Sequence, residues 1–231
     1  MKAQAHILVV RLGGGTRPAA LVAGTVEAMQ PPSDWFTRVT AIRIRHVELI
    51  DAEAGLGPLC DRVRDLYGQL ADMVRADPRF ELQVFLDRSQ EPATEALLGD
   101  ILPHLNVYQI VTGAAADDLH HFPPQVGRQA VLSEMRVALA RNLATVESSV
   151  APEMAHRLRK ALDEANAKPP PAVPDGIVMA EPSPADDMML AAGLLVWRGV
   201  RYPPIPHYDH SLVPGDHRRP QPLCRRTSGI V

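Results

Sequence analysis

Residues 81–111, ELQVFLDRSQEPATEALLGDILPHLNVYQIV, decide the fold class. ELQVFLD (81–87) is a strand-length apolar run, PATEALLGDIL (92–102) spaces its apolar residues as a helix does, and LNVYQIV (105–111) is a second strand-length run. A strand, a helix and a strand in such quick succession form a βαβ unit, and the crossover makes the two strands parallel. Asp87 closes the first of these strands. That is the carboxyl edge at which open α/β sheets place their sites.

Upstream, Leu59, Val63, Leu66, Leu70 and Val74 recur at spacings of three and four, which predicts an amphipathic helix over 57–76. Before it come HILVVRL (6–12), running into Gly13-Gly14-Gly15, then AALVAGTVEAM (19–29) and TAIRIRHVELI (40–50). The glycine-rich turn between the first two is a hairpin signal, and the alternation of Ile42 and Ile44 with Arg43 and Arg45 gives the third a wet face. Three antiparallel strands are therefore expected ahead of the βαβ unit. Downstream, RQAVLSEMRVALARN (128–142) and APEMAHRLRKALDEANA (151–167) read as helices, the latter with Pro152 at its start, where a missing N–H costs nothing. KPPPAVP (168–174) is a stiff connector, GIVMAE (176–181) a candidate short strand, and ADDMMLAAGLLVWRGV (185–200) a strongly apolar helix. Beyond Tyr202 six prolines and few apolar residues predict an extended or disordered tail. The expected architecture is one α/β domain, residues 1–202, with a mixed sheet of three antiparallel strands followed by parallel strands, flanked by helices, and a basic, proline-rich tail over 203–231.

Length and composition agree with a single domain. The 231 residues, 46% hydrophobic and 22% charged, suit one sizeable core and exclude wholesale disorder. No apolar run approaches the roughly 20 residues needed to cross a bilayer, and the N-terminus lacks a signal-peptide pattern, so a cytoplasmic location and no membrane partner are expected. Cys60 and Cys224 stand far apart and outside any CxxC spacing, which excludes a disulfide scaffold or zinc finger. The net charge of −3 conceals two opposed parts. Residues 198–231 hold six arginines against Asp209 and Asp216, a net of +4, which leaves −7 on the preceding residues. Within the tail, Arg218, Arg219, Arg225 and Arg226 are candidate contacts for DNA phosphates. His207, His210 and His217 in the tail, and His120-His121 in a polar loop, read more readily as solvated polar sequence than as metal ligands.

The order of elements resembles that of the ribonuclease H-like fold, whose nucleases hold two divalent metals on carboxylates from the first strand, the fourth strand and a late helix. A more specific resemblance rests on four stretches: HILVVRLGGGTRPAALV; VFLDRSQEP; VYQIVTGAAADDL followed by PPQVGRQAVLSEMRVALARNLATV; and PADDMMLAAGLLVW. Together they resemble the C-terminal nuclease domain of bacteriophage and prophage large terminase subunits, which package viral DNA and cut it. The resemblance spans about residues 6–202. It implies Asp87, Asp186 and Asp187 as catalytic, metal-binding residues for one or two Mg²⁺ or Mn²⁺ ions, DNA as substrate, and other phage packaging proteins as partners.

Departures from the family pattern are as informative. Arg11 stands where the resemblance implies the first metal-binding aspartate, Arg17 replaces a hairpin aspartate, and Pro184-Ala185 stands where a histidine often precedes the paired acids. A guanidinium is permanently charged and cannot ligate Mg²⁺. At about 4 Å and an effective dielectric of about 20 it opposes each unit of cation charge by about 4 kcal/mol before screening. Arg11 is thus expected to block the site. The glycines at 13–15 offer neither the lysine nor the spacing of a phosphate-binding loop, so no ATP site is expected and the chain cannot drive DNA translocation by itself. Two functions follow: a stand-alone terminase nuclease homologue with metal-dependent endonuclease activity reduced or lost, or a non-catalytic DNA-binding or packaging-assembly protein on the same scaffold.

Overall fold

The first strand, β1 (Lys2–Arg11), sorts its side chains onto two faces, and both are covered. Ala5, Ile7 and Val9 join one buried apolar cluster and Leu8 and Val10 another, the signature of a central strand. In the computed structural model, which describes residues 2–13, 17–30, 37–51, 55–76, 80–87, 107–113, 119, 124–167 and 184–205, β1 pairs antiparallel with β2 (Ala19–Met29) and parallel with β4 (Phe80–Asp87). β2 continues antiparallel to β3 (Arg38–Ile50), with register shifts at Ala23/Gly24 and Glu27/Ala28. On the other side β4 runs parallel to β5 (Val107–Gly113), and β5 to β6 (Gln125–Gly127). A short β7 (Ala144–Val146) lies parallel to β3. The sheet order is β6-β5-β4-β1-β2-β3-β7.

Helix α1 (Leu56–Ala76) covers one face, with Leu59, Val63 and Leu66 against Leu8, Val10, Leu21 and Leu86. Helices α2 (Arg128–Ala140), α3 (Pro152–Ala167) and α4 (Pro184–Arg201) belong to the cluster on the other face, where Met135, Leu158 and Leu194 join Ile7, Val22 and Ile44. Each such side chain contributes about 1.5–3 kcal/mol on burial. The sheet is mixed and flanked by helices as expected, and the expected strands and the four helices that fall on described residues all form. β6 and β7 were not foreseen. Three residues are too few to establish a period, and both strands are held by parallel pairing at the sheet's edges, β7 being reinforced by Ile42 N–H donating to Leu143 O at 2.7 Å and Glu147 N–H to Ile44 O at 2.9 Å. The expected helix at 92–102, the strand at 176–181, His120-His121 and the tail beyond residue 205 lie outside the described residues. Among the described residues no helix is long and apolar enough to cross a membrane.

α4 positions the site, and two of its glycines let it pack closely, Gly199 against the sheet and Gly193 against α2. A Cβ at Gly199 would lie 2.7 Å from Val26 Cγ2, and one at Gly193 would lie 2.7 Å from Val131 Cγ1 of α2. Gly68 of α1, by contrast, has nothing within 4 Å of its Cβ position. Alanine is favoured over glycine in a free helix by about 0.8–1 kcal/mol. Gly68→Ala is therefore expected to stabilise by about 0.5–1 kcal/mol, whereas Gly199→Ala is expected to cost about 1–3 kcal/mol through overpacking. Urea unfolding of the two variants checks the difference in sign. At the far end of α4, Trp197 is buried and meets Tyr202 edge to face at 5.8 Å. The Arg198 guanidinium lies 4.9 Å from the Tyr202 ring and 5.7 Å from that of Phe85.

Candidate functional site

Arg11 and Asp87 are register partners at the carboxyl ends of adjacent parallel strands. Each is two residues beyond a member of the α4-facing cluster, Val9 on β1 and Phe85 on β4, so the period of two turns both side chains toward α4. Thr112 on β5 is likewise two residues beyond Ile110. The first turn of α4 brings Asp187 to the same point. Arg11, Asp87 and Asp187 are all buried, the two aspartates completely.

Arg11 occupies the centre. Its Nη1 donates to Asp87 Oδ2, and to Thr112 Oγ1 at 2.5 Å, while Nε donates to Asp187 Oδ1 at 2.8 Å. The Thr112 hydroxyl donates onward to Asp87 Oδ2 at 2.6 Å, and the Thr112 backbone N–H donates to Asp87 Oδ1 at 3.2 Å. Arg17 Nη1 donates to Asp187 Oδ2 at 2.6 Å. The result is a linked series, Arg17–Asp187–Arg11–Asp87–Thr112, in which two guanidinium charges balance two carboxylate charges. Burial by itself would lower the Arg11 pKa, but the charges of Asp87 and Asp187 and the hydrogen bonds to them raise it above its ordinary value. The guanidinium is a fixed cation at every accessible pH.

These residues do not fit a divalent metal. Both Asp187 oxygens and one Asp87 oxygen receive guanidinium N–H groups, whereas Mg²⁺ takes six oxygens in near-octahedral geometry. Among the described residues there is no group of three or more His, Cys, Asp or Glu side chains placed to hold a metal ion. The arrangement instead neutralises the carboxylates internally and ties β1, β4, β5 and α4 together.

Of the residues singled out from sequence, Arg11, Asp87 and Asp187 converge at the carboxyl ends of β1 and β4. Asp186 lies within α4, but its side chain falls outside the described residues, as do Arg218, Arg219, Arg225 and Arg226. Thr112 was not foreseen from the sequence. Arg17 stood out there only as a departure, although the pairing of two arginines with two acids was open to charge counting.

No protein-family model matches the sequence, and no curated protein matches it. The fold does have a solved counterpart. The human cytomegalovirus terminase nuclease domain, manganese-soaked and inhibitor-bound, is similar over 85% of this chain and 83% of its own, with a TM-score of 0.51 and 10% identity. The chain has the fold of a terminase nuclease domain. Two further structures of the viral domain align with TM-scores of 0.45 and 0.44 at 10% and 11% identity, covering 85% and 83% of this chain and 84% and 82% of theirs. The terminase nuclease fold thus accommodates a sequence in which nine residues of every ten differ from the viral one, and in which a guanidinium sits between Asp87 and Asp187.

Proposed function

We propose that this chain is a terminase-nuclease-type domain of phage lineage whose metal-dependent DNA endonuclease activity is lost, and that it serves DNA packaging by binding rather than by cutting. The observation that carries the proposal is the buried Arg11 guanidinium joined to both Asp87 and Asp187. In a two-metal phosphodiesterase the carboxylates must be open to cations that activate the attacking oxygen and stabilise the leaving one. Here those oxygens already hold a permanent cation, with Arg17 as a second. The domain spans residues 1–202 and the tail 203–231. The tail arginines Arg218, Arg219, Arg225 and Arg226 supply phosphate contacts, which suits a protein that holds DNA without hydrolysing it.

The experiment is incubation of the purified protein with plasmid DNA and Mn²⁺ or Mg²⁺, beside an Asp87→Ala variant. No cleavage above that of the variant is expected. Robust cleavage that disappears with Asp87→Ala contradicts the proposal and restores Asp87 to a catalytic role. In the same preparation, DNA binding in EDTA is expected to persist. Truncation after Ile205 is expected to reduce the slope of log affinity against log salt by up to about 4, roughly one unit for each phosphate no longer neutralised by a tail arginine. An unchanged slope places the DNA interface elsewhere.

A further inference from the structure

We propose that the carboxylate pair of Asp87 and Asp187 with Thr112 is a guanidinium receptor, occupied in the native chain by Arg11 and selective for alkylguanidinium over both ammonium and divalent metal ions. This rests on the loss of metal function proposed above and names the cation class that the site takes in its place.

Three observations carry it. The acceptors come from three separate elements, β4, β5 and α4, and they meet two different nitrogens of one planar group. Such a fork demands donors fixed in a plane, which a guanidinium has and an ammonium lacks. Each acceptor is also anchored independently of Arg11. Thr112 holds Asp87 through its N–H and hydroxyl at 3.2 and 2.6 Å, and Arg17 holds Asp187 Oδ2 at 2.6 Å. The receptor therefore keeps its shape when the occupant is withdrawn. Arg17 also disfavours a metal in the vacated space, since it retains one Asp187 oxygen and contributes a positive charge at the rim, its side chain 15% exposed. The cation that neutralises this end of the sheet is thus supplied by the strand itself, and folding needs no metal.

Arg11→Ala removes the atoms of an ethylguanidinium and leaves the receptor empty. Ethylguanidinium at millimolar concentration is expected to raise the melting temperature of Arg11→Ala by about 3–6 °C in a saturable manner, and to leave the native protein unmoved. Ethylammonium and MnCl₂ at equal concentration are expected to give less than a third of that shift. An equal response from the native protein, or a larger one from Mn²⁺ on Arg11→Ala, overturns the proposal. If Arg11→Ala does not fold unaided, it is refolded from denaturant with either organic cation. A better soluble yield with ethylguanidinium supports the receptor, and equal yields overturn it. The plasmid assay on the native chain is separate, so an inactive nuclease with no guanidinium selectivity would defeat this proposal alone.

Discussion

Asp187→Asn is expected to lower stability by about 3–5 kcal/mol, the usual cost of breaking a buried pair by removing one charge. For a domain of this length that is a fall in melting temperature of about 10 °C. Asparagine keeps the shape of the side chain, so packing is hardly disturbed. What disappears is the charge that meets Arg11 Nε at 2.8 Å and Arg17 Nη1 at 2.6 Å. Two guanidinium groups, one of them buried, then lack that counter-charge. The sign of the effect is the informative part. In a centre built of clustered carboxylates awaiting metal, the acids repel one another and neutralising one relieves that repulsion, so the same substitution leaves such a protein unchanged or more stable. Thermal unfolding followed by circular dichroism separates the two cases, and a melting point equal to or above that of the native protein contradicts an ion-paired site.

The second large effect is the coupling between Arg11 and Asp87. Arg11→Met and Asp87→Asn are each expected to cost about 3 kcal/mol, since each leaves a buried charge with less compensation. The double variant is expected to cost well short of the sum, with a coupling of about 2 kcal/mol, because the second change removes a charge that the first had already stranded. An exposed pair supplies the comparison. Arg64 and Asp61 on α1 lie 2.8 Å apart at 53% and 75% exposure, and coupling there is expected to be at most about 0.5 kcal/mol. If the Arg11–Asp87 cycle gives no more than the surface pair, the guanidinium does not hold the site together.

Much of this arrangement was legible in the chain. The family resemblance brings Arg11, Asp87 and the Asp186-Asp187 pair to one site, and the β-branched runs and apolar stripes give the element order, hence the mixed sheet. What the sequence could not supply is the docking of α4. Arg11 and Asp187 are 176 positions apart, and successive residues on a helix point about 100° apart, so whether Asp187 meets the strands depends on how the helix is rotated against the sheet. That rotation follows from packing, including the close approaches at Gly193 and Gly199. Thr112 was missed for a related reason. VYQIVTG reads as a strand, but nothing local marks its threonine as the partner of an aspartate 25 positions earlier. β6 and β7 are too short to show a period, and they form because neighbouring strands offer them unpaired edges.

The most direct test of the central claim, that a built-in guanidinium stands where metal would bind, is the melting temperature of the native protein in EDTA and in millimolar Mn²⁺. Binding to the folded state alone would raise it by mass action. An occupied site predicts no change beyond that caused by ionic strength. A saturable rise with Mn²⁺ that vanishes in Asp87→Ala would contradict it.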